Sequence, residues 1–339
     1  MTDTLPTLAD VRAARETIVS TAIRTPLILS ELSPDGDTPI WLKLECLQAT
    51  GSFKIRGATN AIAKLSADER RRGALCCSTG NHGRAGAHAS REAGIRATVC
   101  LSRLVPQTKV EAIERLGATV LRVGNTSDEA QLEVDRLVRE EGMVELPPFD
   151  HADVIAGQGT IAFELLEERP DLETLLVPMS GGGLISGIAI AARALKPGIR
   201  IVGLSMDRGA AMAESIAAGH IVDVEEVASL ADALGGGIPK DNRYTFAASR
   251  QLVDEVVLVT ESEIYEGMRA LFHRERLVVE GAAAVGHAAI LADKLGVDGP
   301  TAIVVTGRNV DTKRFADIVA GQPVQLGDLR VDARYPSGP

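Results

Sequence analysis

The stretch ALCCSTGNHGRAGAHASREAG, residues 74–94, decides the fold class. Residues 74–78 are apolar or small, the profile of a buried strand. A turn of hydroxyl, amide and glycine residues follows, Thr79-Gly80-Asn81-His82-Gly83. An alanine-rich helix is predicted from Arg84 onward. Strand, glycine turn and helix in that order make half of a βαβ unit.

The same alternation extends to both sides. Strands are predicted over 40–44, 97–101, 119–123, 174–179, 201–206, 255–259 and 301–306. Helices are predicted from Ser52, over 109–116 and 127–141, after the turn 180–183, and over 261–276 and 282–295. Thr260 followed by Glu263 is a capping box, in which hydroxyl and carboxylate each satisfy an orphan amide. No repeat of fixed period or low-complexity tract interrupts the pattern. The class implied is α/β with a mostly parallel sheet. The segment after Gln322 is polar, contains Pro and Gly, and reads as a tail too short for a regulatory domain.

Composition narrows the function. Aromatic residues are only 3%, against a base-stacking platform or a carbohydrate binder. The net charge of -10 gives no general attraction to nucleic acid or anionic lipid, so neither partner is expected. Cys46, Cys76, Cys77 and Cys100 form no C-x-x-C pair and lack a histidine cluster, which argues for buried reduced thiols in a cytoplasmic protein and against zinc. The opening MTDTLPTLAD has neither a basic start nor an apolar core, so no signal peptide is expected. No uncharged apolar run reaches the roughly 20 residues that span a bilayer.

Four turns carry candidate chemistry. Ser180-Gly181-Gly182-Gly183-Leu184 is an anion cradle, because glycines let backbone amides approach a phosphate at a helix N-terminus. It is neither G-x-G-x-x-G nor a P-loop, which argues against a nucleotide-binding dehydrogenase. Lys54 lies between Phe53 and Ile55, where burial would free its amine for Schiff-base chemistry. The 78–83 turn offers hydroxyls, an amide and backbone donors for a carboxylate. Thr306 offers a hydroxyl to a heterocycle nitrogen. Each feature alone also has a plainer reading: a ligand-free turn, an exposed lysine, an Asn-capped turn, a hydrogen-bonded structural His82.

Together the pieces resemble the threonine dehydratase and serine racemase family of pyridoxal-phosphate fold type II, with a tryptophan-synthase-β-like fold. The motifs are TPL at 25–27, SFKIRGA at 52–58, TGNHG at 79–83, VIAGQGT at 154–160, GGGL at 181–184, EGAAAVG at 280–286 and NVD at 309–311. The resemblance implies two domains, each with a mostly parallel sheet flanked by helices. A small domain over 73–149 is inserted into a large one made of 1–72 and 150–325, with a tail over 326–339. It implies a homodimer and pyridoxal 5'-phosphate as cofactor. Lys54 would carry the cofactor covalently and act as base and acid at Cα. Phe53 would lie beneath the ring, Asn81 would meet its phenolate oxygen and Thr306 its nitrogen. Ser180, Gly181, Gly182, Gly183 and Leu184 would hold the phosphate. Ser78, Thr79, Gly80, Asn81 and His82 would hold the substrate carboxylate. Thr79 stands where racemases of the family have a serine as the opposite-face base, so the resemblance makes it the second catalytic residue, its hydroxyl relaying protons on that face.

The expected reaction is loss of water and then ammonia from a β-hydroxy amino acid. The finer wording is similar to hydroxyectoine-utilisation dehydratases, through PPFD at 147–150, GGGIPKDNRYT at 235–245 and TGRNVD at 306–311. That branch implies a hydroxylated diaminobutyrate-type substrate, with Asp150 and Asp241 as candidates for its extra ammonium. The alternatives are an L-threonine or L-serine ammonia-lyase, a β-hydroxyaspartate dehydratase, a racemase, or a non-catalytic ligand sensor. The family's magnesium site is not expected, because Ser205 stands at its glutamate position.

Overall fold

The structure, a computed structural model, describes residues 4–33, 38–78, 80–105 and 107–334. The chain begins with α1 (Leu8–Ile18), β1 (Leu27–Leu29), β2 (Ile40–Lys43), α2 (Lys54–Ala63) and α3 (Ala67–Arg72). There follow β3 (Ala74–Cys77), α4 (Asn81–Glu92), β4 (Ala97–Leu101), α5 (Gln107–Glu114), β5 (Thr119–Arg122), α6 (Ser127–Glu141) and β6 (Val144–Glu145). Next are α7 (Ala152–Glu168), β7 (Thr174–Pro178), α8 (Gly183–Leu195), β8 (Arg200–Met206), α9 (Ala211–Ala218), α10 (Thr245–Leu252) and β9 (Glu255–Val259). The chain closes with α11 (Glu261–His273), α12 (Gly281–Leu291), β10 (Thr301–Val304), α13 (Thr312–Val319), β11 (Val324–Leu326) and β12 (Leu329–Val331).

Local chemistry sets many boundaries. Capping boxes at Thr7, Ser66, Thr126 and Thr260 open α1, α3, α6 and α11. Arg276 and Asp293 have φ of 59° and 54°, so α11 and α12 stop short of the predicted 276 and 295. Helix α4 starts at Asn81, three residues before the predicted Arg84, so the polar turn forms the helix N-terminus itself.

Two sheets result. The first has six strands in the order β1-β2-β10-β7-β8-β9, parallel except for the β1–β2 pair. The second has four parallel strands in the order β5-β4-β3-β6. In each, the strand order reverses once: between β7 and β10, and between β3 and β6. Crevices open at such switch points beyond the carboxyl ends of the strands. The residues there are Ser180–Gly182 after β7, Thr306–Asn309 after β10, and Ser78 and Gly80 after β3. Topology therefore directs three of the four candidate turns to switch points.

Apolar clusters cover both faces of the six-stranded sheet, one around Leu176, Val202 and Ile303, the other around Leu175, Ile201 and Ala302. Helix α2, which begins at Lys54, is held from below in two ways. Its Gly57 meets Gly157 of α7 so closely that a Cβ on Gly157 would lie 2.6 Å from the Gly57 Cα. Beneath it runs a buried ionic network. Arg56, 1% exposed, donates to Glu45 at 2.7 and 2.8 Å and to Glu164 at 2.6 and 2.9 Å. Lys43 pairs with Glu164 at 2.5 Å and donates to the Thr25 carbonyl at 2.6 Å. The network ties β2, α2 and α7 into one block.

The segment after Gln322 differs from the tail read from sequence. Strands β11 and β12 form an antiparallel hairpin whose Val324, Leu326 and Val331 are buried in the core. The alternation Val-Gln-Leu at 324–326 was the signal for it. Among the described residues no helix is long and apolar enough to cross a membrane.

Candidate active site

The switch-point turns line one cleft of about 420 Å³ together with Phe53 and Lys54. Lys54 opens α2 half-buried, its Nζ donating to the Pro148 carbonyl at 2.7 Å and lying 5.4 Å from the Phe53 ring centroid. Desolvation lowers its pKa to about 8, with Glu280 opposing the shift. An amine so placed is available as a nucleophile near neutral pH.

Gly181, Gly182 and Gly183 form the turn into the 13-residue helix α8. Gly182 has φ +89°, and a Cβ there would meet Met212 Cε at 2.7 Å and Ser249 Oγ at 2.9 Å. A Cβ on Gly181 would strike the Phe149 ring at 2.5 Å. Only glycine leaves these backbone amides open to an anion. Gly182→Ala is expected to weaken cofactor retention about tenfold or more, given the cost of strain and overpacking. Gly198→Ala, where a Cβ meets nothing within 4 Å, is the control. Equal retention on dialysis in both variants would refute the cradle.

Ser78, Gly80, Asn81 and His82 line the cleft from the second sheet, while Thr79 lies outside the described residues. His82 Nε2 donates to the Leu146 carbonyl at 2.6 Å. Burial, with the Lys54 charge second, pushes its pKa down to about 3, so the ring is neutral. Thr306 is 3% exposed and its hydroxyl has no partner among the described residues, while its carbonyl accepts from the Phe53 N–H at 3.1 Å. An orphaned buried hydroxyl aimed at a cleft asks for a ligand acceptor or donor.

Several lining residues were not foreseen. Glu280 is buried, accepts from Asn81 Nδ2 at 2.7 Å and from the Asn309 N–H at 3.0 Å, and is pushed up to about 7 by desolvation. Asn309, Gln158, Arg84, Lys109, Glu226 and Asp232 also line the cleft. The motifs at 280–286 and 309–311 contained Glu280 and Asn309 without indicating that they meet Asn81.

The proposed ammonium ligands need correcting. The Asp150 carboxylate accepts from the backbone N–H groups of Arg243, Tyr244 and Thr245 at 2.6, 2.9 and 2.9 Å, fixing the approach to α10. Asp241 is exposed and outside the cleft lining. Arg308 is exposed, and its N–H donates to the Gly51 carbonyl at 2.9 Å. Among the described residues no group of three or more His, Cys, Asp or Glu is set to hold a metal ion.

Comparison with known proteins meets this geometry. The sequence profile of a family described as pyridoxal-phosphate dependent enzyme matches residues 19–307. The chain belongs to that family. Pyridoxal 5'-phosphate is therefore the enzyme's cofactor, and the glycine turn, Lys54 and the orphaned Thr306 hydroxyl fit it. The enzyme is 51% identical to a putative threonine dehydratase of Sinorhizobium fredii over 93% of this chain and 95% of that protein. It is 41% identical to an L-threonine ammonia-lyase of Thermotoga maritima over 95% of this chain and 80% of that one. Maize serine racemase has a similar fold, with TM-score 0.87 and 33% identity over 93% of this chain and 97% of that one. These likenesses put the enzyme among the lyases of the threonine dehydratase and serine racemase group, with the fold of type II.

Proposed function

We propose that this lyase removes water, then ammonia, from a β-hydroxy amino acid, and that its substrate is a hydroxylated diamino acid of the 3-hydroxy-2,4-diaminobutyrate type from hydroxyectoine breakdown. The observation that carries the reaction class is the convergence in one cleft of Lys54, the 181–183 turn, Ser78, Gly80, Asn81, His82 and Thr306.

The bound cofactor supplies the electron sink for charge developed at Cα. The chain's residues do the rest. The amides of Gly181, Gly182, Gly183 and Leu184, with Ser180 before them, would hold the phosphate. Phe53 would pack against the ring, Asn81 would donate to its phenolate oxygen, and Thr306 would meet its nitrogen. A neutral threonine hydroxyl does not hold a proton there as a carboxylate would, which favours rapid elimination. Ser78, Gly80, Asn81 and His82 would hold the substrate carboxylate, a role the sequence also gives to Thr79. Lys54 takes the Cα proton, the Cβ–O bond breaks, and the proton returned from Lys54 leaves with the β-hydroxyl as water. The resulting enamine takes up water and releases ammonia, giving a 2-oxo acid.

We assign residues 73–149 as a small domain that closes on the large one, 1–72 with the chain from 150 through the β11–β12 hairpin, excluding water from the reacting Cα. The likeness to the threonine dehydratase and serine racemase group supports a homodimer.

Glu226 and Asp232 on the cleft wall support the diamino substrate, since carboxylates there suit a second ammonium. A second reading, a β-hydroxyaspartate dehydratase, draws on Arg84 and Lys109 of the same wall, which suit a second carboxylate. The test offers L-threonine, L-serine, β-hydroxyaspartate and hydroxylated diaminobutyrate to the holoenzyme and measures 2-oxo acid and ammonia. The diamino substrate should have the highest kcat/KM, and Asp232→Asn with Glu226→Gln should cut its advantage over threonine about tenfold or more. Preference for threonine or hydroxyaspartate would overturn the substrate, and no product from any of the four would overturn the reaction.

A further inference from the structure

The network around Asn81 closes on itself, and its orientation can be derived outward from one backbone group. The Thr50 carbonyl is an obligatory acceptor, and Asn309 Nδ2 donates to it at 2.9 Å. That fixes which end of the Asn309 amide is nitrogen. The same Nδ2 donates to Asn81 Oδ1 at 2.5 Å, which in turn fixes the Asn81 amide. Asn81 Nδ2 is thereby turned to Glu280 Oε1 at 2.7 Å. The other carboxylate oxygen, Oε2, accepts from the Asn309 backbone N–H at 3.0 Å. One hydrogen of Asn81 Nδ2 is engaged by Glu280 and the second remains for a ligand.

We propose that Glu280 and Asn309 are positioning residues that clamp the Asn81 amide so that its remaining N–H meets the cofactor's phenolate oxygen. The inference rests on the reading that Asn81 faces that oxygen. The clamp joins four separate parts of the chain: the loop before α2, the start of α4, the N-cap of α12 and the turn after β10. It also crosses between the two sheets, so the carboxylate that orients Asn81 comes from the other side of the cleft.

Both oxygens of Glu280 accept N–H groups, a pattern that needs the carboxylate. Burial works against ionisation and pushes the group up to about 7. The charged and titratable groups that face it are Lys54 on α2, Arg84 on α4, Asp232 in the 232–234 turn and Cys46 in the 45–47 turn. Above about pH 7 the carboxylate holds both donors; as pH falls through that value it takes a proton and one donor loses its acceptor. Glu280→Gln places an amide donor where an acceptor is required, so it should reproduce the low-pH state at every pH.

The experiment uses holoenzymes carrying Asn81→Ala, Glu280→Gln, Asn309→Ala, and the last two each combined with Asn81→Ala. Cofactor retention is measured by dialysis, and the visible absorption band is titrated with pH. Glu280→Gln and Asn309→Ala should each weaken retention about tenfold, the loss expected for one hydrogen bond to a charged oxygen. Each should shift the band in the direction Asn81→Ala shifts it, and neither should add to Asn81→Ala. The wild-type band should respond to pH near 7, and that response should vanish in Glu280→Gln. If Asn81→Ala alters neither retention nor band, the reading that Asn81 meets the cofactor fails. If Asn81→Ala acts but the other two do not, or act additively with it, the clamp fails while that reading stands. Should Glu280→Gln not fold, the Asn309→Ala cycle decides alone.

Discussion

Lys54→Ala is expected to lower kcat/KM by at least about four orders of magnitude, the upper range for removing one proton-transfer group, and to abolish covalent retention of the cofactor. The geometry behind it is specific. Lys54 opens a helix anchored by the Arg56 network, and its Nζ rests on the Pro148 carbonyl at the cleft wall. Replacing it leaves Pro148 O at a cleft that water can enter, so the fold should persist. The readouts are turnover, the visible band after gel filtration, and far-ultraviolet circular dichroism as the control for folding. A variant that keeps the band would remove Lys54 from its role. A related expectation concerns pH. Only the neutral amine attacks an aldehyde, and desolvation brings the Lys54 pKa to about 8. Capture of the cofactor by stripped enzyme should therefore accelerate as pH rises and level off above about 8, rather than above the ordinary lysine value. A rate still climbing well past that point would mean the amine is not desolvated.

Arg56→Met is expected to destabilise the enzyme by about 3–5 kcal/mol, the range for breaking a buried ion pair by removing one partner. Arg56 makes paired hydrogen bonds to two carboxylates, and its loss leaves Glu45 and Glu164 in the interior with only Lys43 as a cation. Arg56→Lys should recover little, because an ammonium cannot present two parallel donors to each carboxylate. Urea unfolding checks both variants. A loss below about 1 kcal/mol for Arg56→Met would show that the charges adjust without it. Cofactor retention should fall as well, since the block that Arg56 ties together carries Lys54. Replacing all four charged side chains by apolar ones of similar volume need not be destabilising, since the desolvation of four ions disappears with them.

Much of the architecture was legible because its causes are local. Period-2 and period-3.6 patterns, capping boxes and glycine turns are encoded within a few residues, and they place most strands and helices close to where they form. The hairpin of β11 and β12 was missed because its alternation spans only three residues in each strand. Helix ends were overextended where Arg276 and Asp293 adopt left-handed backbone, which no neighbouring residue announces. For the same local reason Lys54, Asn81, Gly181 to Gly183 and Thr306 stood out: each lies in a turn between a strand and a helix.

By itself the sequence determined the alternating α/β order, the turns that line the cleft and the family to which they point. Only the tertiary structure decided which acidic groups reach the site. Asp150 lay near a site motif in sequence, yet three backbone donors engage it, whereas Glu280, 199 positions from Asn81, is its direct partner. Short-range patterns are set by backbone geometry and side-chain preference within one element. The pairing of buried polar groups depends on which ends of which strands the topology brings together, and that is a property of the whole packed chain.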